Sequence, residues 1–250
     1  MHRRFLIHPL AWAVVSVPAA AIAQEESEEA KPPQYFQRLI EAGNAKFDFY
    51  ARRPPRQRYP GQALFHLNCR DETAYRTTWK TKDGKKQVVV RVNLKKVTCE
   101  LTHTLRLPRY LNNDRRWTNR LVKHEFDHVA ISCDPRVTML VEHLYGKVKR
   151  VLTTVDADVK VDDKLVRPLI DKQYGARANA VIALIKSNYV LLDKVSRHGN
   201  TPIENRKVFF QSLYTKANLD AAGFPFTGDV LDLLKSKKYR EAELLYDFEK

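Results

Sequence analysis

Two histidines beside a carboxylate are the residues of this chain best suited to chemistry. The stretch His124-Glu125-Phe126-Asp127-His128 matches the pattern H-E-x-x-H. On a helix, residues four apart lie on one face, so the imidazoles of His124 and His128 can converge on a single metal ion. Glu125 is then placed to take a proton from a metal-bound water. The pattern predicts a Zn2+ site that hydrolyses a peptide or amide bond, with Glu125 as general base.

The surrounding residues favour the helix that this site needs. Residues 114 to 132 repeat apolar residues and histidines at three- and four-residue steps, and Asp134-Pro135 ends the run. The side chains of Asn112, Asn113 and Asp114 offer N-caps. The competing interpretation is a surface helix that carries two solvated histidines.

The N-terminus predicts export. Basic residues at positions 3 and 4 precede a largely apolar stretch, which ends in Ala21-Ile22-Ala23, a small-x-small cleavage pattern. We therefore expect residues 1–23 to be a signal peptide and the protein to be periplasmic or secreted. No transmembrane segment is expected after cleavage.

The charge balance is strongly basic. The chain has 44 Lys and Arg against 29 Asp and Glu, a net charge of +15, and removal of Arg3 and Arg4 with the signal peptide leaves 44 − 2 − 29 = +13. The basic runs match no specific nucleic-acid motif, which leaves an anionic envelope surface or an acidic substrate as candidate partners. The alternative function is therefore a catalytically inactive zincin-like envelope protein that binds a polyanion or a protein partner through its basic surface.

Three cysteines permit at most one internal disulfide. Cys69 and Cys99 are the preferred pair, because both lie in the β-rich part of the sequence, and Cys133 follows the helix of the H-E-x-x-H pattern. No C-x-x-C spacing occurs, so a cysteine-ligated zinc is disfavoured.

Strand and helix patterns predict an α+β fold with a small antiparallel sheet packed on the active-site helix. Residues 24–33 are acidic and end in Pro-Pro, which predicts a disordered leader. Residues 34–199 form the predicted zincin-like metallopeptidase domain, and residues 200–250 a helical C-terminal extension. Besides the helix at residues 114–132, helices are predicted at residues 34–46, 137–151, 164–195, 203–217 and 228–247. Strands are predicted at residues 74–81, 87–94 and 97–107. A turn is predicted at residues 82–85 and a loop at residues 52–60.

The order of these features resembles a bacterial family of predicted secreted zinc-dependent proteases, in segments from roughly Asn68 to Gly199. The resemblance lies in a strand ending in Leu107-Pro108, then Trp117, then the H-E-x-x-H pattern, and finally a helix with Tyr189 that closes on His198-Gly199. Phe126-Asp127 and Ser196 depart from the family pattern. The resemblance implies a zincin-like fold, a peptide or protein substrate, and His198 as the third zinc ligand.

Other candidates for the third ligand come from the residues themselves. Asp134 follows His124 by ten residues, the metzincin spacing, but Ile131 stands where that arrangement needs a glycine. Glu142 and His143 come next, on the following helix. Asp193 is a candidate carboxylate for orienting a ligand histidine, and it is also an alternative for the third ligand.

The remaining residues of the expected cleft have less defined roles. The strand at residues 102–107 is expected to form its rim and to offer an edge for a peptide. His103 and Arg106 should project from opposite faces of that strand. Tyr189 and Arg197 are candidates for stabilising the oxyanion.

Overall fold

The computed structural model describes residues 31–245, which form a four-stranded sheet and eight α-helices. This arrangement confirms the α+β class. The signal peptide at residues 1–23 and most of the leader at residues 24–33 lie outside the described residues. In chain order the elements are α1 (Gln34–Gly43), β1 (Ala45–Tyr50), β2 (Gln62–Lys82), β3 (Lys85–Pro108), α2 (Arg120–Ser132), α3 (Pro135–Lys147), β4 (Arg150–Asp156), α4 (Asp163–Ser196), α5 (Arg206–Ser212), α6 (Lys216–Ala221), α7 (Leu231–Lys235) and α8 (Lys237–Arg240).

The sheet is built on one long hairpin. β2 runs antiparallel to β3 from the Lys82–Lys85 pair to the Gln62–Arg106 pair. The predicted turn between them is confirmed: Asp83 and Gly84 both have positive φ, as a two-residue hairpin turn requires. The strands predicted at residues 87–94 and 97–107 are one continuous strand, since the irregularity at Glu72/Thr73 shifts the register without interrupting β3.

β3 is the central strand, with β2 along one side and two short strands on the other. β1 pairs parallel with residues 103–108, and β4 pairs antiparallel with residues 85–91. Neither short strand was predicted. The helix predicted to reach residue 151 ends at Lys147, and its last predicted turn begins β4 instead.

One face of the sheet packs against helices and forms the core. Val88, Val90 and Val92 point to this inner face and are buried, with Val151 of β4 beside them. α4 crosses the same face, where the Tyr174 hydroxyl lies 3.1 Å from Thr73 Oγ1. Below α2, an aromatic cluster fills the space between α1, β1 and the helix; it consists of Phe36, Phe47, Trp117 and Phe126.

Helix α2, which carries the H-E-x-x-H pattern, begins later than predicted. Residues Asp114–Thr118 form a separate 3₁₀ turn, and Asn119 then caps α2 by accepting a hydrogen bond from the Leu121 N–H. The predicted end is confirmed, because α2 stops at Ser132. Asp134 caps the next helix through the Arg136 N–H.

The segment after residue 200 consists of short helices that pack on α2 and α3. The two long helices predicted at residues 203–217 and 228–247 are each broken. Phe210, Leu213 and Tyr214 are buried, and the Tyr214 hydroxyl donates to the Ile131 carbonyl oxygen at 2.7 Å. Arg136 donates to the Phe210 carbonyl oxygen at 2.8 Å. Among the described helices, none has the length and apolar character needed to cross a bilayer.

Candidate metal centre

The two histidines of α2 meet a carboxylate from the last turn of α4. His124 Nε2 lies 3.0 Å from Asp193 Oδ1, and His128 Nε2 lies 3.2 Å from the same oxygen. Among the described residues, His124, His128 and Asp193 have potential ligand atoms that all lie within 4.8 Å of one another. We call these three side chains the ligand cluster. Both histidines are buried, and the side chain of Asp193 is 29% exposed.

The distances from Asp193 to the two histidines suit a tetrahedral ion. Bonds of about 2.0–2.1 Å at the tetrahedral angle place ligand atoms roughly 3.3 Å apart, close to the 3.0 Å and 3.2 Å found between Asp193 and the two rings. Two imidazoles and a carboxylate are also a donor set that zinc accepts. The chemistry and the geometry of these residues therefore fit a zinc ion.

The hydrogen bonds of Ser196 orient His124 for this role. The Ser196 hydroxyl donates to the Leu192 carbonyl oxygen at 2.8 Å, and its oxygen lies 3.4 Å from His124 Nδ1. These contacts hold the His124 ring with Nε2 directed towards Asp193.

The ionisation of the other two side chains also suits ligation. Burial lowers the pKa of His128, although Asp193 partly opposes this shift, so the ring is neutral at pH 7. Burial alone would raise the pKa of Asp193, but hydrogen bonds from His124 and His128 outweigh it and hold the pKa well below the usual range. A neutral imidazole and an ionised carboxylate are the forms that bind metal.

Glu125 lies beside the ligand cluster and is only 3% exposed. Burial raises its pKa to about 8, Asp193 adds to the rise, and a hydrogen bond from the Ala63 backbone opposes it. Gly61 leaves space for the carboxylate: a Cβ at this position would overlap Glu125 and approach Leu121 Cδ1 to 2.8 Å. The start of β2 therefore forms a backbone wall against the candidate base.

His198 lies next to Asp193 but outside the ligand cluster. Its Nδ1 is 3.4 Å from Asp193 Oδ1, and its ring stacks on Tyr59 with 3.7 Å between centroids. Arg197, His198 and Gly199 all have positive φ, and a Cβ on Gly199 would come 2.7 Å from His124 Cβ. His198 therefore contacts the group of His124, His128 and Asp193 through Asp193, and its role as a zinc ligand stays a prediction.

The other candidates for the third ligand lie elsewhere. Asp134 forms a buried ion pair with Arg136, whose Nη2 lies 2.6 Å from Asp134 Oδ2. Glu142 and His143 are on α3, where Glu142 is exposed and His143 Nε2 contacts the Asp229 carbonyl oxygen at 3.0 Å. None of the three belongs to the ligand cluster formed by the described residues.

Tyr189 and His103 support the base of the site through one serine. The Tyr189 hydroxyl donates to Ser132 Oγ at 3.0 Å, and its ring lies against His128 with 4.4 Å between centroids. His103 is buried and contacts Ser132 Oγ at 2.5 Å, whereas Arg106 pairs with Asp48 on the opposite side of the strand. The Tyr189 hydroxyl uses its proton in the hydrogen bond to Ser132, and its role at an oxyanion stays a prediction. Arg197 is exposed.

The site opens into a cleft of about 570 Å³. The prediction that residues 102–107 form its rim is wrong, because β1 and β2 pair with that part of β3 from both sides. Its wall is formed by the start of β2 and by the loop before it. Three exposed arginines line the cleft, and none forms an ion pair with a described residue; they are Arg56, Arg58 and Arg120.

The composition of this wall was not predicted. The sequence RRPPRQRYPG identified a loop, but the contacts of Tyr59 and Gly61 depend on a tertiary fold that local patterns do not define. Asp193 was considered both as an orienting carboxylate and as one alternative for the third ligand.

Comparison of the chain with protein-family models, with curated proteins and with solved structures finds no significant match. The resemblance to secreted zinc-dependent proteases therefore stays a prediction.

Proposed function

We propose that this protein is a zinc-dependent peptidase in which His124, His128 and Asp193 hold the metal and Glu125 is the general base. The observation that carries the proposal is the approach of both histidines to one oxygen of Asp193, with the carboxylate of Glu125 beside them in the cleft. When bound, zinc supplies Lewis-acid polarisation of a carbonyl and a lowered pKa for water.

The protein residues divide the remaining work. In its ionised form, Glu125 can accept a proton from the attacking water and then donate it to the leaving amine. Ser196 orients His124 through Nδ1, and Tyr189 packs on the ring of His128. Gly61 and Ala63 hold the Glu125 carboxylate in place from β2.

The charge of the cleft supports peptides with acidic side chains as the substrate class. Arg56, Arg58 and Arg120 line the cleft without acidic partners among the described residues, whereas its carboxylates, Glu125 and Asp193, belong to the metal centre. We expect Arg120→Gln to raise KM for an acidic peptide and to change KM little for the matched peptide with Gln in place of Glu. The control is Arg115→Gln, an exposed arginine outside the cleft lining.

Metal content tests the ligand set. Protein purified without chelator should contain one zinc per chain by elemental analysis, and the zinc should be lost in His128→Ala and Asp193→Asn. His198→Ala should keep it, as should the control His66→Ala, an exposed histidine of β2. Loss of zinc in His198→Ala with retention in Asp193→Asn would instead assign the third ligand to His198. A folded protein that neither contains zinc nor takes it up would overturn the proposal.

Peptide hydrolysis tests the catalytic role. Glu125→Gln should keep its zinc and lose about 10²–10⁴-fold in kcat, the usual contribution of a positioned general base. A variant with full zinc and unchanged kcat would remove Glu125 from the mechanism.

A further inference from the structure

The sheet has a second face, remote from the metal centre, that carries a row of arginines. The register places Arg76 of β2 opposite Arg91 of β3, and Arg91 opposite Arg150 of β4. Directly paired residues share a face, so the three guanidinium groups project from the same side of three adjacent strands. All three residues are exposed. We call this row the arginine ladder.

The arginine ladder is electrostatically uncompensated. Within the described residues, no carboxylate lies within ion-pairing distance of Arg76, Arg91 or Arg150. Like charges directly opposite each other on a sheet destabilise it. The fold therefore tolerates a local cost at this position, and an anionic partner would remove it.

The rest of the outer face extends the charge and adds aliphatic side chains. The next row on this face consists of Thr78, Val89 and Leu152, which lie opposite one another. The row after that contains Lys80. Leu152 is 62% exposed. Helix α4 packs on the opposite face of the sheet through Tyr174 and Thr73, so it leaves this face open.

The side chains of this face favour a lipid surface over a nucleic acid. A single-stranded nucleic acid is usually bound by aromatic rings on which its bases stack, and the rows that contain Arg76, Thr78 and Lys80 have none. Guanidinium groups match the phosphates of lipid headgroups, and exposed aliphatic side chains can enter the boundary between headgroups and acyl chains. Basic residues near an anionic bilayer each contribute about 1 kcal/mol of attraction.

We propose that the arginine ladder, together with Leu152, docks the protein on an anionic phospholipid surface. This role does not depend on the proposed peptidase activity, and it would hold the chain on the membrane by the face opposite to the helices.

Vesicle binding by the full chain tests the proposal. The probes are vesicles of phosphatidylcholine alone and vesicles of phosphatidylcholine mixed with phosphatidylglycerol, with binding measured by co-sedimentation at low and at high salt. Wild-type protein should bind only the mixed vesicles, and high salt should weaken binding. The triple variant Arg76→Gln/Arg91→Gln/Arg150→Gln should bind roughly 100-fold more weakly, at about fivefold for each charge.

A matched variant separates the ladder from net charge. Lys164→Gln/Lys172→Gln/Lys186→Gln removes three exposed charges from α4 and should bind nearly as well as wild type. Equal weakening of the two triple variants would overturn the proposal, as would failure of the wild type to bind mixed vesicles at low salt.

Two further variants complete the design. Leu152→Asn should weaken vesicle binding and leave any binding to a duplex DNA fragment unchanged; DNA binding that depends on the ladder, without vesicle binding, would overturn the lipid assignment. Should the triple variant not fold, Arg91→Gln alone removes the central charge, and an unaltered vesicle affinity in that variant would count against the ladder.

Discussion

Glu125 is a carboxyl group whose surroundings favour the protonated form. It is almost fully buried, it lies near the ionised Asp193, and its opposing contact is a single backbone N–H from Ala63. A folded-state pKa of about 8 stands far above the value of about 4.3 for an unfolded glutamate. Folding of the metal-free protein therefore requires Glu125 to hold a proton at neutral pH.

This linkage predicts a pH effect on stability. Because the folded-state pKa of Glu125 is raised, its contribution is fully present below pH 4.3 and is lost as pH rises towards 8. Glu125→Gln removes the dependence, so the variant should gain about 2 kcal/mol relative to wild type between pH 5.5 and pH 7.5. Urea unfolding of both metal-free proteins at the two pH values measures this gain. A wild-type-to-variant difference that stays constant with pH would contradict it.

Gly61 provides a second prediction for a single residue. Gly61→Ala places a methyl group against Glu125 and Leu121, so we expect a loss of about 1–3 kcal/mol in the free energy of unfolding and a lower kcat. The matched control is Gly175→Ala within α4, where a Cβ meets no atom within 4 Å. Alanine loses less backbone entropy than glycine inside a helix, so this variant should be more stable than wild type by about 0.5–1 kcal/mol. Equal effects of the two substitutions, measured by denaturant unfolding, would refute the steric account.

The sequence predicted the shared position of the two histidines of α2 better than the residues that face them. His124 and His128 are related by helix geometry alone, so their shared face follows from their spacing. The position of Asp193 depends on how α4 crosses α2, and Gly61 depends on where β2 begins. Both are tertiary properties, which a local pattern does not contain.

At the scale of elements, an ion pair joins α5 to α2. Arg206 Nη1 lies 2.8 Å from Asp127 Oδ2, and Arg206 Nη2 contacts the other oxygen. Asp127 is 5% exposed, so removal of its partner would leave a buried charge. This ion pair therefore attaches the segment after residue 200 to α2 at Asp127, the residue before His128.

We expect Arg206→Gln to lower the free energy of unfolding by about 3 kcal/mol, because it leaves the Asp127 carboxylate buried without this partner. The double variant Asp127→Asn/Arg206→Gln should recover part of the loss. Lys216→Gln, at the exposed pair with Asp220, should cost less than about 0.5 kcal/mol. Denaturant unfolding compares the three, and an Arg206→Gln loss as small as that of Lys216→Gln would show that the pair does not hold α5.

The hairpin carries a pair of thiols that is open to oxidation. Cys69 and Cys99 are opposite each other across β2 and β3, with sulfur atoms 2.7 Å apart, and both are free thiols, as is Cys133. Treatment with a disulfide such as oxidised glutathione should link them by thiol–disulfide exchange and leave one free thiol. Thiol titration and peptide mapping measure the outcome. A Cys99→Ser control should form no internal link, and bridging through Cys133 in wild type would contradict the prediction.

The outcome for the elements depended on how much of each was encoded locally. α4 and the turn at Asp83-Gly84 were predicted because helical spacing and turn residues are local signals. β1 and β4 were missed because each is short and is held mainly by pairing with β3. The helices after residue 200 are short because the chain turns repeatedly as it packs on α2 and α3, and these turns depend on the tertiary fold.

At the scale of the whole molecule, the proposed ligands join two distant parts of the chain. His124 and His128 come from α2, and Asp193 comes from the end of α4. A metal ion that binds only the folded protein raises its free energy of unfolding, by about 4 kcal/mol when the free metal concentration exceeds Kd a thousandfold.

Zinc should therefore raise the melting temperature of the metal-free protein, as measured by calorimetry. The rise should largely disappear in Asp193→Asn and persist in Asp171→Asn, an exposed aspartate of α4. A rise of the same size in Asp193→Asn would show that zinc binds the folded protein elsewhere.

The two glycines that approach the H-E-x-x-H helix also bear on how divergent relatives could be recognised. Backbone at Gly61 touches Glu125 and backbone at Gly199 touches His124, so a side chain at either position would displace a residue of the proposed site. In lineages that retain the activity, purifying selection should fall on these glycines as strongly as on the ligands. A search profile that weights Gly61, the H-E-x-x-H pattern, Asp193 and Gly199 in that order should therefore find homologues that whole-chain similarity misses.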